Sequence, residues 1–182
     1  MHIKPMEFKK ILAKRRSVRK FSPTAPSREV LLDIVRDALT APSSRNMHTT
    51  RFLIVDDKPT IEKMASLRDY GSSFMSEATA AIVVMGDEEA SPMWQINATI
   101  MATVLQLALV EEGLASCWVH VGDYLTINDD PASQRSEDYV KEVVPEIPSN
   151  YRILCVISIG YADYTPKPLP DYEGPERIMF AE

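Results

Sequence analysis

The 182-residue chain is predicted to fold as a single α+β domain, with about four strands and helices on both faces of the sheet. Three observations support this class. Four short runs rich in β-branched residues alternate with amphipathic or charged segments of helical periodicity. No internal repeat, low-complexity run or interdomain linker divides the chain. The composition, 45% hydrophobic and 25% charged, is that of a folded globular protein.

The first half of the chain contains three predicted helices and one strand. A short helix in "MEFKKILAKR" ends in a basic segment. Its apolar face consists of Phe8, Ile11 and Leu12. A second helix begins at the N-cap residue Ser27 and ends before Pro42, because a residue that precedes proline disfavours the helical region. The strand "RFLIVDD" follows, and a charged helix is expected around residues 61–67.

The second half contains the most buried elements. "TAAIVVMGD" (Thr79–Asp87) is a fully apolar strand of the kind that is buried on both faces. The long helix that follows opens at Ser91-Pro92 and closes at Gly113. Its apolar residues nearly encircle it, so we expect it in the centre of a core. The strands "ASCWVHV" and "YRILCVISIGYA" complete the sheet, with a charged helix near Ser136–Val144 between them.

Composition and charge exclude several classes of protein. The formal net charge is −6, and an acidic body argues against general nucleic-acid binding, which usually shows a basic face over the whole domain. Cys117 and Cys155 lie in apolar runs and are expected as buried reduced thiols. The N-terminus lacks the apolar core of a signal peptide, and the most apolar stretch (Pro92–Gly113) is too polar for a membrane span. We therefore expect a cytoplasmic protein that binds neither nucleic acid nor membrane.

Several chemical motifs are missing from the sequence. The six glycines form neither a dinucleotide-binding pattern nor a P-loop, and no nucleophile elbow is present. The three histidines have no second ligand at metal spacing, so no metal site is predicted. Cys117 and His120 are three apart on one predicted strand, which places them on opposite faces and excludes a nucleophile and base in contact. These absences argue against nucleophilic and metal-dependent catalysis.

The segment "KRRSVRKF" (Lys14–Phe21) carries the clearest chemical pattern. Residues 9–20 include seven basic residues and no acid, whereas the rest of the chain has 13 basic against 26 acidic residues. Alternate residues of an extended segment point to one side, where two guanidinium groups and a hydroxyl make a candidate phosphate site. These residues are Arg15, Ser17 and Arg19. Arg16 and Val18 would point to the other side. From the pattern alone, a solvated basic turn is an equal alternative.

Two later segments complete a family pattern. "APSSRNMHTTRF" (Ala41–Phe52) is rich in turn residues and by itself fits a plain helix-to-strand loop. "GLASCWVH" (Gly113–His120) contains Trp118, which alone is more often a core residue. Together with "RRSVRKF", the segments "PSSRNMHTTRF" and "GLASCWV", followed by "ISIGY" and "TPKPLP", resemble in order and spacing the motifs of the FMN-dependent nitroreductase family. The resemblance runs from about Phe8 to Pro170.

The resemblance implies an FMN site shared between the two subunits of a homodimer. The phosphate and ribityl chain of FMN would be held by Arg15, Ser17 and Arg19, with Arg16 adding a contact. The other subunit would contribute Pro42, Ser43, Ser44 and Asn46. The edge of the isoalloxazine ring would be contacted, chiefly through backbone groups, by Trp118, Val119 and His120. Lys167 would return to the phosphate.

The resemblance also implies a fold and a reaction. The nitroreductase-like fold has a mostly antiparallel sheet of four to five strands, here in one domain over residues 1–182. A C-terminal extension (about 162–182) would embrace the partner subunit. NAD(P)H would pass hydride to the flavin N5, and an electron-poor acceptor such as a nitroaromatic or quinone would then take its place, giving ping-pong kinetics. A donor near the flavin N1 and O2, for which His120 is the candidate, would stabilise the reduced ring.

Three positions depart from the family motifs. His48-Thr49-Thr50 replaces Gln-Pro-Trp and would form a less bulky, more polar edge to the substrate pocket. His120 stands where glycine or glutamate is usual, and Leu169 where arginine is frequent. Two alternatives stay open. One is a flavin-binding or flavin-consuming protein without nitroreductase turnover, and the other is an anion- or nucleic-acid-binding module that uses residues 9–20.

Overall fold

The chain forms nine regular elements in the part that the computed structural model describes, residues 6–169 and 178–181. The helices are α1 (Phe8–Lys14), α2 (Arg28–Ala38), α3 (Lys58–Met64), α4 (Trp94–Glu111) and α5 (Ser136–Val143). The strands are β1 (Thr50–Val55), β2 (Ala80–Asp87), β3 (Ala115–His120) and β4 (Tyr151–Gly160). Two short 3₁₀ turns, Ser44–Asn46 and Ser73–Glu77, lie in the connections.

The four strands form one antiparallel sheet in the order β1-β2-β4-β3. This confirms the predicted α+β class and strand number. β2 and β4 occupy the centre, and residues 80–86 of β2 are all buried, as predicted for a strand covered on both faces. The basic segment runs along the edge beside β3. There Ser17 forms a parallel bridge with Ser116, and the Val18 N–H donates to the Ser116 carbonyl at 3.0 Å.

Helices cover both faces of the sheet and create two apolar cores. The core under α3 and α5 includes Ile61, Val140, Val83 and Ile153. The core under α2 and α4 includes Leu31, Leu105, Ile82 and Ile157. Truncating one of these buried leucines or isoleucines to alanine would cost about 2–5 kcal/mol of stability. The two cores make the sheet a rigid support for the loops at its ends.

Side-chain caps decide where α2 and α3 begin. Ser27 caps α2 as predicted, since its Oγ accepts a hydrogen bond from the Val30 N–H at 3.3 Å. α3 begins three residues earlier than expected. The reason is a second cap: Asp57 accepts a hydrogen bond from the Thr60 N–H at 3.0 Å.

α4 starts later than predicted but ends where predicted. It begins at Trp94 rather than at Ser91, because the Ser91 Oγ accepts a hydrogen bond from the Met93 N–H within a turn that precedes the helix, at 3.2 Å. At the other end Gly113 adopts a φ of 74°, a left-handed conformation that favours glycine. The Leu114 N–H then bonds to the carbonyl five residues back at 2.8 Å, which completes a Schellman motif.

Two helices carry apolar side chains that the described residues leave uncovered. On α4, Ile96 is 52% exposed and Ile100 is 36% exposed. The prediction that this helix lies in the centre of a core is therefore wrong for the single chain, since one side of the helix faces away from the sheet. On α1 only Ile11 of the predicted apolar face is buried, whereas Phe8 and Leu12 are exposed.

The C-terminal extension is described only in part. Residues 170–177 and 182 lie outside the described ranges. Of the predicted apolar tail, Ile178, Met179 and Phe180 are exposed. The contact of this tail with a partner subunit therefore stays a prediction.

Candidate functional site

The basic segment leaves α1 in an extended conformation and brings three polar side chains to one side. Arg15, Ser17 and Arg19 lie near the buried thiol of Cys117 in β3. Burial raises the pKa of that thiol, while the charge of Arg19, the Ser17 hydroxyl and the charge of Arg15 lower it in part. The structure thus places together the three residues that the alternation predicted. We call these three residues the cationic clamp.

Buried apolar residues anchor the segment that carries the clamp. Val18 and Phe21 lie in the core under α3 and α5. Phe21 packs on the last residue of β4, where a Cβ added to Gly160 would lie 2.9 Å from a carbon of the Phe21 ring. Only glycine allows this approach. The Arg19 guanidinium lies 5.6 Å from the centroid of the Phe74 ring, a cation–π distance.

Arg16 points away from the clamp. Its Nε donates to the Lys167 carbonyl at 3.0 Å, and its Nη1 donates to the Ala13 carbonyl at 2.7 Å. Arg16 also lines a cavity of about 470 Å³ on this other side, between α1, the end of α4 and residues 162–168. Lys167 is thus tied to Arg16 through its backbone, and its side chain is exposed.

The end of β3 forms an aromatic and cationic cluster. Trp118 and His120 project from the same side of the strand, with stacked rings, and the Trp118 Nε1 donates to the His120 Nδ1 at 3.4 Å. Tyr124 meets the His120 ring edge-on at a centroid distance of 5.6 Å. The Arg68 guanidinium lies 4.1 Å from the centroid of the Tyr124 ring. Val119 is buried.

The surroundings of His120 favour its neutral form. Burial lowers the pKa of His120, the charge of Arg68 lowers it further, and Asp123 raises it in part. In the hydrogen bond from Trp118 the Nδ1 is the acceptor, which corresponds to the neutral ring protonated on Nε2. The Arg68 Nε is buried and has no hydrogen-bond partner within residues 6–169 and 178–181.

Sequence reasoning missed Arg68 and Tyr124. Both lie in loops without a motif, and only the fold brings them to the end of β3. The Ser136 N–H at the start of α5 donates to the Tyr124 carbonyl at 2.8 Å. The Ser72 Oγ donates to the Arg68 carbonyl at 2.9 Å. No local sequence signal would have found either residue.

The loop before β1, residues 42–48, is held in a strained conformation. Its left-handed residues are Arg45, Asn46 and His48, with φ angles of 51°, 57° and 47°. Such angles are uncommon for residues other than glycine and asparagine. Two hydrogen bonds fix the loop: the Ser44 N–H donates to the Asn97 Oδ1 at 2.8 Å, and the His48 N–H donates to the Ser43 Oγ at 3.0 Å. Pro42 at its start is exposed.

Buried polar groups surround the base of this loop. Asn97, a polar residue within the apolar pattern of α4, is 1% exposed, and its Nδ2 has no partner in the described part of the chain. Its position in an apolar helix was the signal that sequence reasoning left unused. Thr49 and Thr50 are also buried, and only His48 of that trio is exposed. Thr49 and Thr50 thus expose little surface in the single chain, and the substrate-pocket edge expected of the trio stays a prediction.

The loop and the cationic clamp lie at opposite edges of the sheet. The loop leads into β1, the clamp lies beside β3, and β2 and β4 separate the two edge strands. Since neighbouring strands are about 4.8 Å apart, β1 and β3 are about 14 Å apart. One chain therefore does not bring its loop to its own clamp.

Metal clusters and membrane-spanning helices are absent from the described ranges. Among residues 6–169 and 178–181, no three His, Cys, Asp or Glu side chains lie together as a metal site needs. In the same ranges, no helix combines the length and the apolar character needed to cross a membrane.

Comparison with known proteins identifies the family. The family model described as the Nitroreductase family matches residues 12–68 and 56–161. A relative from Archaeoglobus fulgidus, named as an NADH dehydrogenase/NAD(P)H nitroreductase, is 31% identical over 174 residues, or 93% of this chain and 91% of the relative. The structure of an FMN-dependent nitroreductase from Clostridium difficile has a TM-score of 0.86 at 34% identity, over 94% of this chain and 98% of that one. An NADH dehydrogenase/NAD(P)H nitroreductase structure from Parabacteroides distasonis has a TM-score of 0.82 at 25% identity, over 96% and 98%. The chain belongs to the nitroreductase family.

Proposed function

We propose that this chain is an FMN-dependent oxidoreductase that works as a homodimer and transfers hydride from NAD(P)H to an electron-poor acceptor such as a nitroaromatic or a quinone. The observation that carries the proposal is the convergence of Arg15, Ser17 and Arg19 beside the edge strand β3. The names of the C. difficile and A. fulgidus relatives support the choice of cofactor and of reductant.

The chemistry of the cationic clamp fits the phosphate of FMN. Two guanidinium groups supply forked N–H donors and positive charge, and the Ser17 hydroxyl supplies a further donor. Neither Arg15 nor Arg19 forms an ion pair with a carboxylate in the described part of the chain, so both charges are available to a ligand. Arg16, bound to the Lys167 carbonyl, would support the clamp from behind, and the exposed Lys167 side chain would add charge.

The cluster at the end of β3 suits the edge of an isoalloxazine ring. When bound, FMN supplies the two-electron chemistry, accepting hydride from NAD(P)H and giving it to the acceptor. Arg68, with its permanent charge, would stabilise negative charge at the ring edge, by the logic of an oxyanion hole. His120 in its neutral form keeps an Nε2–H donor there, and Trp118 and Val119 would present backbone groups. No side chain is assigned an acid–base step.

The rest of the site would come from a second copy of the chain. Its loop residues Pro42, Ser43, Ser44 and Asn46 would approach the clamp across the subunit interface. The separation of β1 from β3 supports this arrangement, because the loop and the clamp of one chain lie at opposite edges of the sheet.

An anaerobic titration tests the proposed function. The purified protein, loaded with FMN, is titrated with NADH or with NADPH, and the flavin absorbance is followed. We expect at least one nucleotide to bleach the flavin and a quinone or nitroaromatic then to restore the colour. A protein that binds FMN but stays oxidised with both nucleotides is instead a flavin-binding protein without this turnover, and a protein that binds no FMN contradicts the proposal outright.

A further inference from the structure

The loop between α2 and β1, together with β1 itself, carries a second concentration of positive charge. Residues 40–55 contain Arg45, His48 and Arg51 and no acidic residue, in a chain with 26 acidic against 20 basic residues. All three side chains are exposed. No carboxylate forms an ion pair with any of them within the described ranges. The charge of the two arginines is therefore available to an anion from solution.

The backbone conformation fixes where this charge stands. Arg45 has a φ of 51°, although a side chain of this size costs about 1–2 kcal/mol in the left-handed region. Strain of this kind persists where the surrounding structure enforces it, and it clusters at functional sites. The enforcing contacts here are the bond of the Ser44 N–H to Asn97 and that of the His48 N–H to Ser43.

Arg51 is bound to the same loop. Its Nη1 donates to the His48 carbonyl at 2.7 Å and to the Thr50 carbonyl at 2.9 Å. The guanidinium of Arg51 is thereby held against the loop backbone, while the Arg45 side chain has no hydrogen bond to another described residue and keeps all its donors. Arg51 thus supplies a positive charge at a fixed position, and Arg45 supplies a guanidinium group whose N–H donors no described residue occupies.

Arg45 also stands between two residues of the proposed flavin site. Ser44 and Asn46 are its direct neighbours, with consecutive Cα atoms about 3.8 Å apart. If those two residues approach the flavin of a second copy, Arg45 lies at the rim of the space where the nicotinamide and the acceptor alternate. A guanidinium there matches the paired oxygens of a carboxylate, sulfonate or phosphate.

We propose that Arg45 binds an anionic oxygen group on the small molecule that exchanges electrons at the flavin, with Arg51 adding charge. This selectivity rests on the proposed function, because it needs the loop to face the flavin of the second copy. The anion has two possible sources. It belongs either to an acceptor that carries a carboxylate or sulfonate, or to the 2′-phosphate of NADPH.

Arg45→Asn is the decisive variant, because asparagine tolerates the left-handed conformation. The substitution then removes only the positive charge and the paired N–H donors of the guanidinium group. Arg36→Gln, an exposed arginine on α2 outside the loop, is the matched control. One arm measures kcat/KM for 4-nitrobenzoate and for 4-nitrobenzamide, and a second compares NADPH with NADH. A third arm needs no turnover: benzoate and benzamide are titrated against the absorbance of the oxidised flavin.

We expect Arg45→Asn to lower one of two kcat/KM ratios by roughly tenfold or more: that of 4-nitrobenzoate to 4-nitrobenzamide, or that of NADPH to NADH. A hydrogen bond to a charged group contributes a factor of this size. A fall in the nitrobenzoate ratio assigns the anion to the acceptor, and a fall in the NADPH ratio assigns it to the nucleotide. The control variant should change neither ratio, and added salt should weaken the preference of the wild-type protein.

The outcomes separate this inference from the proposed function. Unchanged ratios in Arg45→Asn overturn the anion site while the turnover function stands, and equal changes in Arg36→Gln overturn it as well. A benzoate-induced shift of the flavin absorbance that Arg45→Asn abolishes supports the anion site. If NAD(P)H does not reduce the flavin of the same protein, the turnover function is contradicted while the anion site stands. A protein that binds no FMN overturns both.

Discussion

At the residue scale, Arg15 and Arg19 are the side chains on which cofactor affinity should depend most. We expect Arg15→Ala and Arg19→Ala each to weaken FMN binding by about 10- to 100-fold, because a hydrogen bond to a charged group contributes about 1.5–3 kcal/mol. Titration of the apoprotein with FMN, followed by flavin fluorescence, measures the effect. Lys20→Ala is the control, an exposed cation next to Arg19, and should change the affinity by less than about threefold. Full affinity in both arginine variants would show that the phosphate binds elsewhere.

His120 should make stability depend on pH. Burial and the charge of Arg68 lower its pKa, so the folded protein resists protonation of the ring, whereas the unfolded chain takes up a proton near about pH 6.5. Its contribution is complete above that pH and is lost as the pH falls towards the lowered pKa. We therefore expect His120→Gln to flatten the fall in the free energy of unfolding as the pH drops below about 6.5, measured by urea denaturation.

A matched variant separates this effect from general acid destabilisation. His48→Gln, which removes an exposed histidine, is the matched control. Protonation of the His120 Nδ1 also removes the acceptor of the Trp118 Nε1 bond, so tryptophan fluorescence should change over the same pH interval. The same slope in His120→Gln and wild type would rule out the role of His120.

At the scale of the elements, a buried carboxylate of α5 ties β4 to the loop after β3. The Glu137 side chain is 3% exposed, accepts a hydrogen bond from the Arg152 Nε at 2.9 Å and pairs with the Lys141 Nζ at 3.2 Å. The bond to Glu137 raises the pKa of Arg152. Arg152 also pairs with Asp123 at 3.3 Å, so the network holds the loop that carries Tyr124.

Glu137→Gln should therefore destabilise the protein. The variant removes one counter-ion of Arg152 and Lys141, while Arg152 keeps its pairs with Glu88 and Asp123, so we expect a loss of about 1.5–3 kcal/mol, the value of hydrogen bonds to a charged group. The free energy of unfolding, from urea denaturation, measures the loss. Glu142→Gln, an exposed glutamate on the same helix, should stay within about 0.5 kcal/mol of wild type. Equal stability of the two variants would contradict a structural role for the network.

The elements that the sequence predicted well are those decided by neighbouring residues. Ser27 and Gly113 act over one helical turn, so their roles could be predicted without the fold. The uncovered side of α4 could not be predicted without the fold, because an apolar pattern does not say whether the sheet or a second chain covers Ile96 and Ile100. The contacts of Arg68 depend on where two distant loops meet, which no local pattern encodes.

The same distinction applies to the candidate site. The period of two in an extended segment grouped Arg15, Ser17 and Arg19 correctly, because the geometry of a strand is local. The bond from Arg16 to the Lys167 carbonyl depends on the path of the chain after β4, and the sequence was silent on it. Thr49 and Thr50 were expected at a pocket edge, and in the single chain both are buried, Thr50 as the first residue of β1 opposite Gly86.

At the scale of the whole molecule, the uncovered apolar surface of α4 bears on the proposed homodimer. Asn97 of α4 holds the strained loop, and Ile96 and Ile100 lie on the same helix. A chain that covers these isoleucines would therefore also approach the loop. In a two-fold dimer each copy makes the same contact, so one interface would complete two sites. Loss of the interface should then remove the cofactor as well.

The double variant Ile96→Glu with Ile100→Glu tests this coupling. Two carboxylates cannot be buried without partners, so we expect the protein to be monomeric and its FMN affinity to fall by at least about tenfold. Sedimentation velocity with and without FMN measures the subunit mass and the bound flavin together, and circular dichroism checks that the variant is folded. Ile127→Glu, a 49% exposed isoleucine in the loop before α5, is the control and should stay dimeric with full flavin. A folded monomer that retains its flavin would show that one chain completes the site alone, and a dimer that survives both substitutions would place the interface on another surface.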